Sequence, residues 1–357
     1  MDKKNIIIIL LAIIVVFILG VTLLTLQSVL LPFIVAVLFS IIFDPMVKFL
    51  KKKKVPTAIS LITVVLTFAV VLFLISLLIY SSATSVAEAL PLYEAKFQSM
   101  LKDLENFVRY TAKSMNVNID ELKLTDIIPF ATISNAATGV ANSFINFLSN
   151  AAMVLLFMLF ILAGSGGLKN KIMEAFSDEQ AERISSVINN ISTRVRKYLT
   201  TKFFISFGTA SLFTLIYWLF GLEFPLFWGF IAFLLCFIPN IGSFIAILFP
   251  VIFSLLQFDS LLTSVILLVL LIVATNLMGN VIEPMVMSES LNLSALLILV
   301  ALIFWGWLWG VVGMLLSVPL TATIKIIFEN IPQLRPMAIL MGGPVDQVKR
   351  KRRRRKK

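Results

Sequence analysis

Residues 6–26 (IIIILLAIIVVFILGVTLLTL) and 57–80 (TAISLITVVLTFAVVLFLISLLIY) run for 21 and 24 positions without a charged side chain. An α-helix rises about 1.5 Å per residue, so about 20 such residues cross roughly 30 Å of hydrocarbon. Lipid offers no partner to a backbone N–H or C=O, which leaves helices and closed barrels as the structures able to span it. Runs of this length are helical. The chain is 59% hydrophobic and 14% charged, against about 45–50% and about 25% in soluble domains. The expected fold is an all-α polytopic membrane protein.

The first run follows Met1-Asp2-Lys3-Lys4. Secretory signals have apolar regions of about 7–15 residues and end at a small-x-small site. This run is longer and leads into TLLTLQSVLLP, so it reads as a retained span. The chain has no histidine and one cysteine, Cys236. Histidine-dependent triads, zinc-protease helices and an intrachain disulfide are therefore excluded. Cys236 lies in an apolar run and reads as a small buried hydrophobe. There is no Gly-x-x-x-x-Gly-Lys phosphate loop, which argues against ATP as the driver. An enzyme, a cofactor and a metal site are not expected.

Lys and Arg near span ends mark the cytoplasmic side. Lys3 and Lys4 put the N-terminus inside; Val29–Phe43 returns to Lys48 and Lys51–Lys54, and Thr57–Tyr80 goes out again. Residues 84–143 carry five positive against seven negative charges, as suits an outer segment. In it Tyr93, Phe97, Met100/Leu101, Leu104 and Phe107/Val108 recur at helical spacing. This amphipathic helix is expected to pack on the membrane domain or on a neighbouring subunit.

The fourth span, Phe144–Ala163, ends at Gly164–Gly167, and residues 168–202 form a basic cytoplasmic helix. Its start, Ser177-Asp178-Glu179-Gln180, has capping-box form. Residues 203–330 make the transport core and 331–357 the basic tail; residues 1–83 hold the first three spans.

Span counting fails in the core. Leu226–Ile238 is 13 residues, about 20 Å of helix and too short to cross. Ile241–Gln257 is 17, and Leu293–Phe328 is divided by Gly306, Gly310, Gly313 and Pro319. The tail KRKRRRRKK (Lys349–Lys357) belongs inside, like the N-terminus, so the number of crossings is even. About six full spans satisfy this if residues 226–257 and 293–328 are two oppositely oriented hairpins. The five tryptophans then fall at one membrane interface.

The first hairpin contains FIPNIGSFIAILFP (Phe237–Pro250). Pro239 lacks an N–H and disfavours continuation of the helix before it. Asn240 can cap the next half-helix, Gly242 permits close backbone approach, and Ser243 adds a polar group. The pattern gives either a tight turn or a free helix N-terminus facing a solute. Asn276, Asn280 and Glu283, followed by Pro284, are spaced four and three and so share a helix face. Glu283 either caps and snorkels or carries a coupling ion or proton. Asn292 or Ser294 can cap the second hairpin. Pro319, near Ser317, Thr321 and Thr323, is either a kink or part of the solute path. The tail suits anionic headgroups, and nucleic acid is not expected as a partner.

In order, P-x-x-G-x₇-P (Pro239, Gly242, Pro250), N-x-I-x-P (Asn280, Pro284) and G-x-x-G-x₅-P (Gly310, Gly313, Pro319), with RVRKYLTTK (Arg194–Lys202), resemble the autoinducer-2 exporter family, also called the PerM-like permeases. The first 190 residues match it in hydropathy. The resemblance implies a multispanning transporter that assembles as a homo-oligomer, a pentamer, with paired hairpins moving against a scaffold. Some members of the family export autoinducer-2 and others are described as cation/proton antiporters.

The resulting expectation is a cell-membrane permease with both termini cytoplasmic that exports a small polar or anionic solute. The two hairpins and Leu261–Ile282 would form the solute site. Asn240, Ser243, Gly242, Asn276 and Asn280 are the candidate solute contacts, and Glu283 is the candidate coupling residue. The alternatives are a sodium/proton antiporter and a non-transporting membrane scaffold.

Overall fold

The computed structural model describes residues 3–114, 150–239, 241–287 and 291–343, with positions 131 and 139. Asn240, most of the 115–143 stretch and the tail from residue 344 lie outside them. The described residues form helices and connecting turns, with an isolated antiparallel bridge between Leu293 and Gly342. The all-α expectation holds.

Among the described residues, six helices are long and apolar enough to cross a membrane: Gln27–Lys52, Thr57–Leu77, Ala151–Leu168, Asp178–Phe220, Leu261–Val286 and Ala295–Asn330. The last of them is folded back on itself, as described below. The expected first span is a 23-residue helix, α1 (Lys3–Thr25). The chain divides into two compact units.

One unit comprises Met1–Ala69, Asn150–Lys202 and Met287–Lys357. It holds α1, α2 (Gln27–Lys52), the start of α3 (Thr57–Ser114), α4 (Ala151–Ala175) and the start of α5 (Asp178–Phe220). On α4 the buried residues Val154, Met158 and Leu162 repeat every fourth position, which is one helix face. α4 packs on α2, with the Phe33 and Phe157 rings edge to face at 5.6 Å. Phe39 and Phe43 of α2 meet Phe68 of α3 at 4.4 and 5.4 Å. α4 does not stop at Gly164–Gly167 but runs on to Ala175. Glycine lowers helix propensity by about 1 kcal/mol without forbidding the conformation. Asp178 and Glu179 occupy the first turn of α5, where the helix dipole favours negative charge. Val195, Tyr198 and Leu199 of α5 then bury against Leu38, Leu291, Val318 and Ala322.

The other unit comprises Val70–Ser149 and Phe203–Val286. It holds the rest of α3 and α5, then α6 (Pro225–Leu235), α7 (Ile241–Gln257), α8 (Leu261–Asn276), a π-helical segment (Leu277–Ile282) and α9 (Glu283–Met287). The span from Thr57 and the amphipathic segment after it are one continuous helix to Ser114. Phe97 and Leu101 of that extension bury against Leu256, with Tyr93 and Met100 at the edge. Further along the same stripe Leu104 and Phe107 are exposed.

Candidate functional site

Both sequence-predicted hairpins form, each within its own unit. In the first, α6 and α7 are joined by the turn Cys236–Pro239, and the far ends of the two arms come together. The Gln257 side chain donates to the Gly221 carbonyl at 2.7 Å and accepts from the Glu223 N–H at 2.8 Å. The Trp228 and Phe253 rings meet between the arms at 5.6 Å, their planes tilted by 45°. At the turn the backbones approach so closely that a Cβ on Gly242 would stand 1.7 Å from the Leu235 carbonyl oxygen. That is why glycine stands there. Pro239 and Ser243 are half-buried beside it, and Gly242 and Pro250 are buried.

Pro250 lies inside α7 and has no N–H to offer the Ala246 carbonyl four residues back. The hydroxyl of fully buried Tyr217, from α5, donates to that carbonyl at 3.5 Å. Tyr217 had no distinguishing sequence signal. Gly229 is another site that sequence reasoning missed: a Cβ there would fall 1.8 Å from Thr214 Oγ1.

Two polar ties hold the α3 extension outside these arms. The Tyr93 hydroxyl donates to Glu223 at 2.8 Å, and Lys96 pairs with Asp259 at 2.7 Å. Burial pushes the Tyr93 phenol up to about 12, with the Glu223 carboxylate adding to the shift. The Lys96 ammonium holds the Asp259 carboxyl below its usual range.

The second hairpin is the helix α10, Ala295–Asn330, broken at Trp309 and Gly310. Gly310 takes φ +62° and ψ −144°, a conformation essentially restricted to glycine. Trp305 donates its indole N–H to Thr321 at 3.2 Å, and a Cβ on Gly313 would stand 1.9 Å from the Trp305 carbonyl oxygen. Contacts between positions so far apart require antiparallel arms. Ser294 is the cap, its hydroxyl accepting from the Leu297 N–H at 3.2 Å. Pro319 and Ser317 are buried, and Thr321 is taken up by Trp305. Trp309, at the tip, donates to the Leu23 carbonyl in the last turn of α1 at 3.3 Å. Trp228, Trp305 and Trp309 are thus buried in protein, while Trp218 and Trp307 are exposed.

The asparagines form the most distinctive polar feature. Asn276 donates to the Ile272 carbonyl at 2.8 Å, and Asn280 donates to the Asn276 side-chain oxygen at 2.7 Å. Both residues are exposed, Glu283 is half-buried and Pro284 is exposed. The structure therefore brings Asn276 and Asn280 together. Residues 277–282 are π-helical, and π-turns occur mostly as single inserted turns, often at functional sites. A π-turn closes its bonds five residues apart and changes the angle between successive side chains. The α-helical count that put Glu283 on the same face therefore does not carry through it. No signal in residue type announces that change of register. Among the described residues no group of three or more acidic or cysteine side chains is arranged to hold a metal ion.

Residues 7–333 match the family described as AI-2E family transporter. The chain is 31% identical over 320 residues to a putative transport protein of Borreliella burgdorferi, covering 89% of this chain and 85% of that one. It is 31% identical over 319 residues to the AI-2 transport protein TqsA of Escherichia coli, covering 88% and 90%. A putative transport protein of Haemophilus influenzae is 28% identical over 317 residues, covering 88% and 90%.

Proposed function

This chain belongs to the AI-2E family of transporters, and from that premise we propose that it exports a small polar or anionic solute by alternating access, without ATP. The family relation and six apolar helices make it a multi-pass membrane transport protein. The likeness to a relative named for AI-2 transport makes autoinducer-2 the first solute to try.

The observation that carries the reading is the Asn276–Asn280 pair. The two side chains are exposed on a helix apolar enough to span, Asn276 just before a π-helical segment and Asn280 within it. An amide turned toward hydrocarbon without full hydrogen bonding costs several kcal/mol on the order of its transfer energy. The pair spends one N–H of Asn280 and one acceptor of Asn276 on each other and keeps further donors and acceptors for a solute. A polar path gives these groups a partner that lipid cannot.

Asn240, Ser243 and Gly242 remain the proposed contacts at the first hairpin, and Glu283 the proposed coupling group. The test is flux in vesicles reconstituted with the purified chain, against a panel of small metabolites and cations. Asn276→Leu with Asn280→Leu should abolish the flux that the parent supports. Glu283→Gln should uncouple flux from a proton or sodium gradient; full coupled flux in that variant sinks the coupling role. Proton-for-sodium exchange with no solute movement would favour the antiporter reading instead.

A further inference from the structure

The base of the second hairpin holds a charge that the transport reading does not use. Lys325 is 3% exposed, and a buried ammonium persists only where oxygen atoms replace its water. Its Nζ donates to the Asn292 carbonyl at 2.5 Å and lies 3.5 Å from the Glu329 carboxylate. Glu329 in turn lies 3.8 Å from Arg194 of α5, and Arg183, also on α5, donates to the Asn330 carbonyl. Asn292 has φ +46°, a left-handed backbone that asparagine tolerates better than most residues.

The same Asn292 carbonyl accepts the Gly343 N–H at 3.2 Å, and Ser294 N–H donates to the Met341 carbonyl at 3.1 Å. Three segments therefore meet at the Asn292 carbonyl: the chain before the hairpin, the last turns of its second arm through Lys325, and the strap after α11 (Arg335–Leu340) through Gly343. A backbone carbonyl and a carboxylate about one positive charge are the oxygen donors that elsewhere hold a free monovalent cation.

We propose that Lys325 is a tethered cation. Its ammonium fills a cation site made by the Asn292 carbonyl and the Glu329 carboxylate, and so closes the hairpin base without a dissolved ion. Loss of the side chain leaves a site for a small alkylammonium. The inference does not depend on the transported solute.

The test is backbone hydrogen exchange at Ser294 and Gly343 in the full chain, purified in detergent. Lys325→Ala should speed exchange there by about tenfold or more, as expected when a buried charge pair loses one member. n-Propylammonium chloride, which replaces the atoms removed, should slow it again; tetramethylammonium chloride at equal ionic strength should not. Lys325→Arg should behave as the parent. Unchanged exchange in Lys325→Ala overturns the proposal, as does equal rescue by both salts or by neither. Should Lys325→Ala not fold, Glu329→Gln at the rim decides: a rise of about two- to fivefold at the same amides supports the proposal, and parent-like exchange contradicts it.

Discussion

The indole N–H of Trp305 donates to the hydroxyl of Thr321 at 3.2 Å, although the two stand sixteen residues apart on one apolar stretch. An uninterrupted helix would separate them by about 24 Å. The bond therefore fixes α10 as two antiparallel arms. Thr321→Val keeps the shape and leaves a buried donor unpaired, at a cost of about 1–3 kcal/mol. Thermal unfolding in detergent should show the loss for Thr321→Val and little change for Thr321→Ser.

The turns of both hairpins depend on backbone contact that a methyl group would prevent. Gly242→Ala puts a Cβ 1.7 Å from the Leu235 oxygen, and Gly313→Ala puts one 1.9 Å from the Trp305 oxygen. Neither oxygen belongs to a flexible side chain, so both variants should lose the monodisperse species on size exclusion. Gly166 on α4 meets nothing within 4 Å. Gly166→Ala should remain monodisperse and gain up to about 1 kcal/mol.

Tyr217 supplies the donor that Pro250 withholds from the Ala246 carbonyl. Tyr217→Phe should cost about 1 kcal/mol in the parent. In a Pro250→Ala background the residue-250 N–H can bond that carbonyl, and the same change should cost less. A double-mutant cycle of unfolding midpoints reads the coupling; additive effects would separate the two residues.

The Tyr93 phenol, raised from its ordinary value of 10.0 to about 12, stabilises the fold in its neutral form. For a folded pKa above the unfolded one, that contribution is complete below pH 10 and is lost as pH rises through about 12. Stability of the parent should fall across this window, and Tyr93→Phe should remove that part of the fall. Phenolate absorbance followed alongside unfolding checks the assignment.

The helix breaks were legible because proline and glycine act on the backbone where they stand. Pro239 with Gly242, and Gly310 with Gly313, marked both turns before any contact was known. The continuity of α3 past Tyr80 was not legible, since charge beginning at Glu88 marks departure from lipid and not the end of a helix. Nor was the run of α4 through Gly164–Gly167, where surroundings outweigh a weak propensity. Tryptophan favours membrane interfaces, yet Trp305 and Trp309 found partners within the protein, which buries them. In the candidate site the four-residue spacing gave the Asn276–Asn280 pair. The π-helical turn Leu277–Ile282, which contains Asn280, has no residue-type signature, so the place of Glu283 relative to the pair could not be counted from sequence.

The most direct test of the account is efflux from proteoliposomes loaded with autoinducer-2 and with the wider metabolite panel. The parent chain should speed release of at least one solute above protein-free liposomes, and Asn276→Leu with Asn280→Leu should return that release to background. Parent efflux no faster than protein-free liposomes for every solute, or undiminished efflux in the double variant, would contradict a polar path along the asparagine pair.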